Sequence, residues 1–118
     1  WGTGTPLREF LFCDDMADAC VYLMELPEQK FLPLVRQKDF APLMNIGVGK
    51  DITICGLAEL VKEVVGYDGA LEWDTGKPDG TPRKLMAVER LTALGWTAST
   101  TLREGIEKTY ADFLENQT

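Results

Sequence analysis

Glycine and proline break this chain so often that every regular element in it has to be short. Turn chemistry at Gly2, Gly4 and Pro6 leads into a strand expected over Arg8–Phe12. Asp14 and Asp15 mark a helix N-terminus, where carboxylates accept orphan amide hydrogens and oppose the dipole. Met16, Ala19, Cys20, Leu23, Met24 and Leu26 then keep helical spacing until Pro27 stops it. Residues 27–43 carry three prolines and no sustained period, so they read as a long connection. A strand is expected over Met44–Val48, closed by Gly47 and Gly49. Thr53 reads as the N-cap of a helix displaying Leu57, Leu60, Val61, Val64 and Val65, with Gly66 at its end. A turn at Asp68-Gly69 leads to a strand over Ala70–Trp73, and 74–84 is polar and turn-rich. Val88–Leu94 predicts a short helix stopped by Gly95. The last helix opens on a capping box, Thr101-x-x-Glu104, and stripes Leu102, Ile106, Tyr110, Phe113 and Leu114 on one face before fraying over 115–118.

Short strands between helices predict a mixed α/β (α+β) architecture. A length of 118 residues fits one domain, 1–118, with one hydrophobic core. A chain this size is expected to bury roughly two-thirds of its unfolded surface. Histidine is absent, which removes a Ser–His–Asp triad, a Cys–His pair and imidazole metal ligands. The net charge of −7 argues against nucleic acid or an anionic membrane as partner. Apolar runs such as Cys20–Met24 fall far short of the ~20 residues of a membrane span, and no signal peptide is visible. Cys13, Cys20 and Cys55 form no C-x-x-C pair and read as reduced, mostly buried thiols of a cytoplasmic protein. The chain opens on Trp1 rather than methionine, which reads as a fragment or processed product.

No G-x-G-x-x-G or Walker sequence occurs: Gly2-x-Gly4 and Gly47-x-Gly49 both lack a third glycine. None of Tyr22, Tyr67 and Tyr110 is followed four residues later by lysine. What remains is binding chemistry, in two clusters. In Trp1–Arg8 an aromatic face and a guanidinium flank a glycine-shaped loop. Trp1 suits stacking on a ring or sugar face, or merely packing at a chain end. Arg8 suits a bidentate phosphate grip, or an ion pair with Asp14 or Asp15. The second cluster is Lys77–Lys84. Residues 75–90 carry Lys77, Arg83, Lys84 and Arg90 against Asp79 and Glu89, a net of +2, so the other 102 residues carry −9. A basic, glycine-rich loop in an acidic chain suits a phosphate, although solubility alone accounts equally for its lysines. Asp79 suits a sugar hydroxyl, or an Asx-turn within its own loop.

The run WGTGTPLREFLFCDDMADACVYLMEL resembles the start of the C-terminal substrate domain in extended short-chain dehydrogenases, the nucleotide-sugar epimerases and dehydratases. NIGVGKDITICGLAELVKEVVGYDG and KPDGTPRKLMAVERLTALGW are similar to the GDP-L-fucose synthases within that group, and the resemblance covers essentially the whole chain. It implies a substrate-binding role for Trp1 and Arg8, which match W-G-x-G-x-x-x-R, for Asp79 in K-P-D-G, and for Lys84 in P-R-K. The implied parent is an NADPH-dependent 3,5-epimerase/4-reductase acting on GDP-4-keto-6-deoxymannose. Its dinucleotide fold, its Ser/Tyr/Lys reductase residues, its Cys/His pair and its homodimer contacts are implied in the other half. No catalytic residue, bound cofactor or metal ligand is therefore expected on this chain, which alone is expected to be inactive. The alternatives are the substrate domain of another nucleotide-sugar epimerase or dehydratase, and a free-standing nucleotide-sugar-binding module. Phe12 and Cys13 depart from the family's histidine and valine, and Cys13 reads as a small core residue rather than an epimerisation acid.

Overall fold

Helix ends are written locally in this chain, and the computed structural model, which describes residues 1–36 and 42–116, places them where their caps lie. Thr53 Oγ1 accepts from the Gly56 amide at 3.0 Å, opening α3 (Ile54–Val65), and Gly66 closes it at φ 68°. Gly95, at φ 106°, ends α4 (Glu89–Leu94). Thr101 Oγ1 accepts from the Glu104 amide at 3.3 Å while a Glu104 carboxylate oxygen accepts from the Thr101 amide at 2.8 Å, opening α5 (Leu102–Glu115). With both halves of that box formed, Thr101→Ala is expected to cost about 1 kcal/mol. An unchanged thermal midpoint would show that α5 does not depend on its cap.

The remaining helices are α1 (Cys13–Met24) and α2 (Glu28–Val35). A helix at 28–35 corrects the expectation of an irregular connection from 27. Pro27 occupies the N-cap, where no helical amide is required, and Pro33 forfeits only one intrahelical bond. Of that expected connection, 37–41 lies outside the described residues.

The strands depart furthest from the sequence reading. β1 is only Leu7–Arg8, not Arg8–Phe12; β2 is Ile52–Thr53 and β3 is Arg83–Lys84. The stretches 44–48 and 70–73 form no strand. In the order β2-β1-β3, β1 runs antiparallel to β2, with Leu7 opposite Thr53, and parallel to β3, with Arg8 opposite Lys84. Both edges of β1 are thereby occupied. The Leu7 amide donates to Pro82 O at 2.8 Å, and the Ile54 amide to Pro6 O at 3.0 Å. Strand pairing was settled by which backbones lie beside β1, and the polar Arg83–Lys84 pair carries no apolar alternation to announce it.

Among the described residues the buried hydrophobic cluster lies in one place. Ala19, Leu91 and Trp96 form the closed core, with Leu11, Tyr22, Leu23, Met44, Ile46, Leu94 and Ala98 packed around it. The Tyr22 hydroxyl donates to Leu94 O at 2.6 Å and the Trp96 indole to Asp18 at 2.8 Å, binding α1 to α4 and the turn after it. On α1 the buried side is Asp15 and Ala19, while Met16, Cys20 and Met24 are exposed. The thiols are corrected accordingly: Cys13 and Cys20 are exposed and Cys55 half-buried, all three unpaired. A second packing zone joins α3 to α5, where Arg103 donates to Glu63.

The accessible surface of 8575 Å² exceeds the roughly 6,400 Å² of a compact protein of this mass. The radius of gyration, 17.9 Å, likewise exceeds the ~13.5 Å of a compact 118-residue domain. The expected single core is therefore smaller than the length allows, and Trp1, Met24, Phe113 and Leu114 are among the large apolar side chains left on the surface. No helix among the described residues is long and apolar enough to cross a membrane.

Candidate functional site

The loop 1–8 is held from both sides by backbone. The Cys55 amide, at the start of α3, donates to Gly4 O at 2.8 Å, and the Gly2 amide donates to Asp74 O at 2.8 Å. Gly4 takes φ 74° directly over the Trp73 ring, which leaves no room for a side chain there. The loop thus lies between the α3 N-terminus and the 73–82 segment, and a pocket of about 300 Å³ opens between them.

Three of the four residues singled out in the sequence meet at this pocket: Trp1, Arg8 and Asp79. Gly4, Pro6, Ile54, Pro78 and Gly80 complete its lining. Trp1 is 81% exposed, so its ring face is open for stacking. Arg8 is half-buried on β1, and Nη1 donates to Leu7 O at 2.6 Å. Neither Asp14 nor Asp15 pairs with it, and no carboxylate neutralises it among the described residues. A further guanidinium nitrogen stands over Gly80, 3.2 Å from where a Cβ would lie. Lys84 does not line the pocket. It is the in-register partner of Arg8 on β3, exposed, with its charge one strand away.

Asp79 does more than either sequence reading proposed. Its Oδ1 accepts from the Thr3 amide at 2.8 Å and its Oδ2 from the Thr3 hydroxyl at 2.6 Å. These bonds hold its carboxyl below the usual carboxylate range, and they latch the 1–8 loop to the 77–84 loop. The Asx-type contact in this region belongs to Asp74, which accepts from the Gly76 amide at 3.2 Å. Thr3 was missed because a threonine within a glycine-rich loop has no distinguishing sequence signal. The basic loop is also less free than its composition implied. Arg83 forks onto Asp51 at 2.5 and 3.3 Å, and this pairing depresses the Asp51 carboxyl.

A groove of about 450 Å³ between α3 and α5, lined by Phe10, Leu57, Val61, Ile106, Tyr110 and Phe113 among others, carries no charged side chain. It suits apolar matter rather than an anion. No cluster of three potential metal ligands occurs among the described residues. A dinucleotide does not fit them either. The strands are two residues long, and β2 passes into α3 with no glycine turn to cradle a pyrophosphate.

The profile of the NAD dependent epimerase/dehydratase family matches residues 1–35. Over 116 residues the chain is 53% identical to GDP-L-fucose synthase 1 of Arabidopsis thaliana, covering 98% of this chain and 32% of that one. It is 48% identical over 117 residues to GDP-L-fucose synthase of Escherichia coli, covering 99% of this chain and 36% of the relative. The crystal structure of a GDP-6-OMe-4-keto-L-xylo-heptose reductase from C. jejuni aligns at a TM-score of 0.85 and 36% identity, covering 100% of this chain and 33% of its own. The chain spans about a third of the length of the curated relatives it matches.

Proposed function

We propose that this chain forms the substrate-binding part of a GDP-L-fucose synthase-like enzyme of the NAD dependent epimerase/dehydratase family. The observation that carries the reading is the Arg8 guanidinium. It lines a pocket beside an open tryptophan ring and has no carboxylate partner among the described residues. A half-buried cation left unneutralised is suited to a ligand anion, and a guanidinium fork matches two oxygens of a diphosphate. Trp1 offers a stacking face at the same opening, and Lys84 adds charge from the neighbouring strand. The GDP-sugar names of the relatives support a GDP-sugar as that ligand.

In this reading the residues of the chain bind and orient. Arg8 and Lys84 hold the diphosphate, Trp1 covers a ring, and Asp79 keeps the loop carrying Trp1 against the 77–84 loop. Binding energy from the non-reacting nucleotide then places the sugar for chemistry performed elsewhere in the enzyme. The reaction we assign to the whole enzyme is epimerisation and NADPH-dependent reduction of GDP-4-keto-6-deoxymannose to GDP-L-fucose. In this reading the hydride donor is held by the rest of the enzyme.

Arg8→Ala is expected to weaken GDP binding roughly 10- to 100-fold, as calorimetric titration would measure. Arg103→Ala, which removes a cation already paired with Glu63, serves as the control and leaves GDP affinity unchanged. Arg8→Ala protein with native affinity would remove the pocket from consideration. A preference for UDP over GDP would redirect the reading to another nucleotide-sugar enzyme.

A further inference from the structure

The Gly47-x-Gly49 pair found no role in the pocket, yet it is tightly occupied. Glu9 Oε1 accepts from the Val48 amide at 2.5 Å and the Gly49 amide at 2.6 Å, and Glu9 Oε2 accepts from the Met86 amide at 2.7 Å. A Cβ at Gly47 would lie 2.5 Å from Glu9 Oε1 and 3.1 Å from Met86 Cβ, and Gly49 sits at φ 73°. Successive amides in a glycine turn make a concavity for anions. Here the anion is internal, the carboxylate of Glu9.

Its place in the chain gives that contact a consequence. Glu9 directly follows Arg8 on β1, Met86 lies two residues past Lys84 on β3, and the glycine turn leads into β2. One carboxylate therefore ties the exits of β1 and β3 and the approach to β2. The backbone ladder itself pairs only two residues on each side of β1, and a ladder so short is weak by itself. The relative placement of Arg8 and Lys84 thus depends on a side chain that faces the amides of other segments rather than the pocket. We propose that Glu9 is a positioning residue for the anion grip, fixing Arg8 and Lys84 relative to each other by holding three backbone amides with one carboxylate. The inference rests on the reading of Arg8 and Lys84 as the diphosphate contacts.

The test titrates GDP and, separately, guanosine into the natural polypeptide that carries these residues, as wild type, Arg8→Ala, Glu9→Gln, Glu9→Ala and the Arg8→Ala/Glu9→Ala pair. Glu9→Ala is expected to weaken GDP about tenfold while guanosine changes less than about twofold, because only the phosphate contacts are displaced. Glu9→Gln keeps the shape and one acceptor oxygen and is expected to lose about threefold for GDP. In the double variant the losses are sub-additive, since the side chain being positioned is gone. If Glu9→Ala does not fold by circular dichroism, Glu9→Gln carries the same GDP-against-guanosine comparison. Equal losses for GDP and guanosine, additive losses, or a folded glutamine variant with native GDP affinity would overturn the proposal and leave Glu9 a structural tie. If Arg8→Ala weakens GDP while the Glu9 variants do not, this inference alone fails. If wild type does not prefer GDP to guanosine, the pocket reading fails and takes this inference with it.

Discussion

Trp96→Ala is expected to destabilise the fold by about 3–5 kcal/mol, the range for removing a buried aromatic side chain. The indole is 5% exposed and meets Ala19 and Leu91, which are 0% and 1% exposed. No other closed hydrophobic cluster backs it up among the described residues, so a cavity here has little surrounding structure to relax into. The substitution also leaves Asp18 without the indole N–H that reaches it at 2.8 Å. With total stabilities of about 5–15 kcal/mol for small domains, such a loss removes a large share of the whole. Urea melts of wild type and variant measure it directly. Trp96→Phe keeps a ring in place and gives up the hydrogen bond, so a smaller loss of about 1–2 kcal/mol is expected. A Trp96→Ala loss below about 1 kcal/mol would mean that α1 and α4 are held together by something other than this core.

The second large effect lies at Asp15, which is 5% exposed on α1. Its carboxylate accepts from the Ser99 hydroxyl at 2.8 Å, the Ser99 amide at 3.3 Å and the Thr100 amide at 2.9 Å, tying the first turn of α1 to the entry of α5. Burial pushes its pKa up, but the hydrogen bonds from Ser99 and Thr100 outweigh that, and the group titrates below its ordinary value of 3.8. Asp15→Ala leaves those donors unpaired and is expected to cost about 3 kcal/mol at neutral pH, from charged hydrogen bonds worth ~1.5–3 kcal/mol each that do not add fully. A carboxyl whose folded pKa lies below its unfolded value stabilises the fold fully above the unfolded value, and that contribution fades as pH falls through the folded one. The variant and wild type should therefore differ most above pH ~4 and converge below it. A constant difference down to pH ~2 would exclude the carboxylate as the cause.

The helix boundaries were legible because their signals are local. Thr53, Gly66, Gly95 and the Thr101–Glu104 box each act on amides within a few residues, and each is found capping where expected. At α1 the same logic located the helix start but not the bonds its carboxylates make. Asp14 and Asp15 do stand in its first turn, yet the N-cap makes no side-chain bond and Asp15 reaches across to Ser99 and Thr100. α2 was missed because Pro27 and Pro33 read as breakers at positions where a short helix tolerates them. At the candidate site the aromatic ring, the guanidinium and the carboxylate were all visible in the sequence, and three of the four residues singled out line one pocket. Their internal partners were not visible. Thr3 is separated from Asp79 by 76 residues, and Glu9 from Met86 by 77.

By itself, the sequence determined the mixed α/β character, four of the five helices and the supply of cations and aromatic rings from which the pocket is built. All of these follow from the chemistry of single residues or from contacts within one turn. Tertiary structure alone decided which two-residue segments pair with β1, how small the closed core is, and which charges are free. Arg83 is taken up by Asp51, Asp79 by Thr3 and Glu9 by the glycine turn, while Arg8 faces the pocket with no carboxylate beside it among the described residues. The reason is physical: a charge is available to a ligand only when no partner from a distant part of the chain reaches it first, and that is settled by folding rather than by composition.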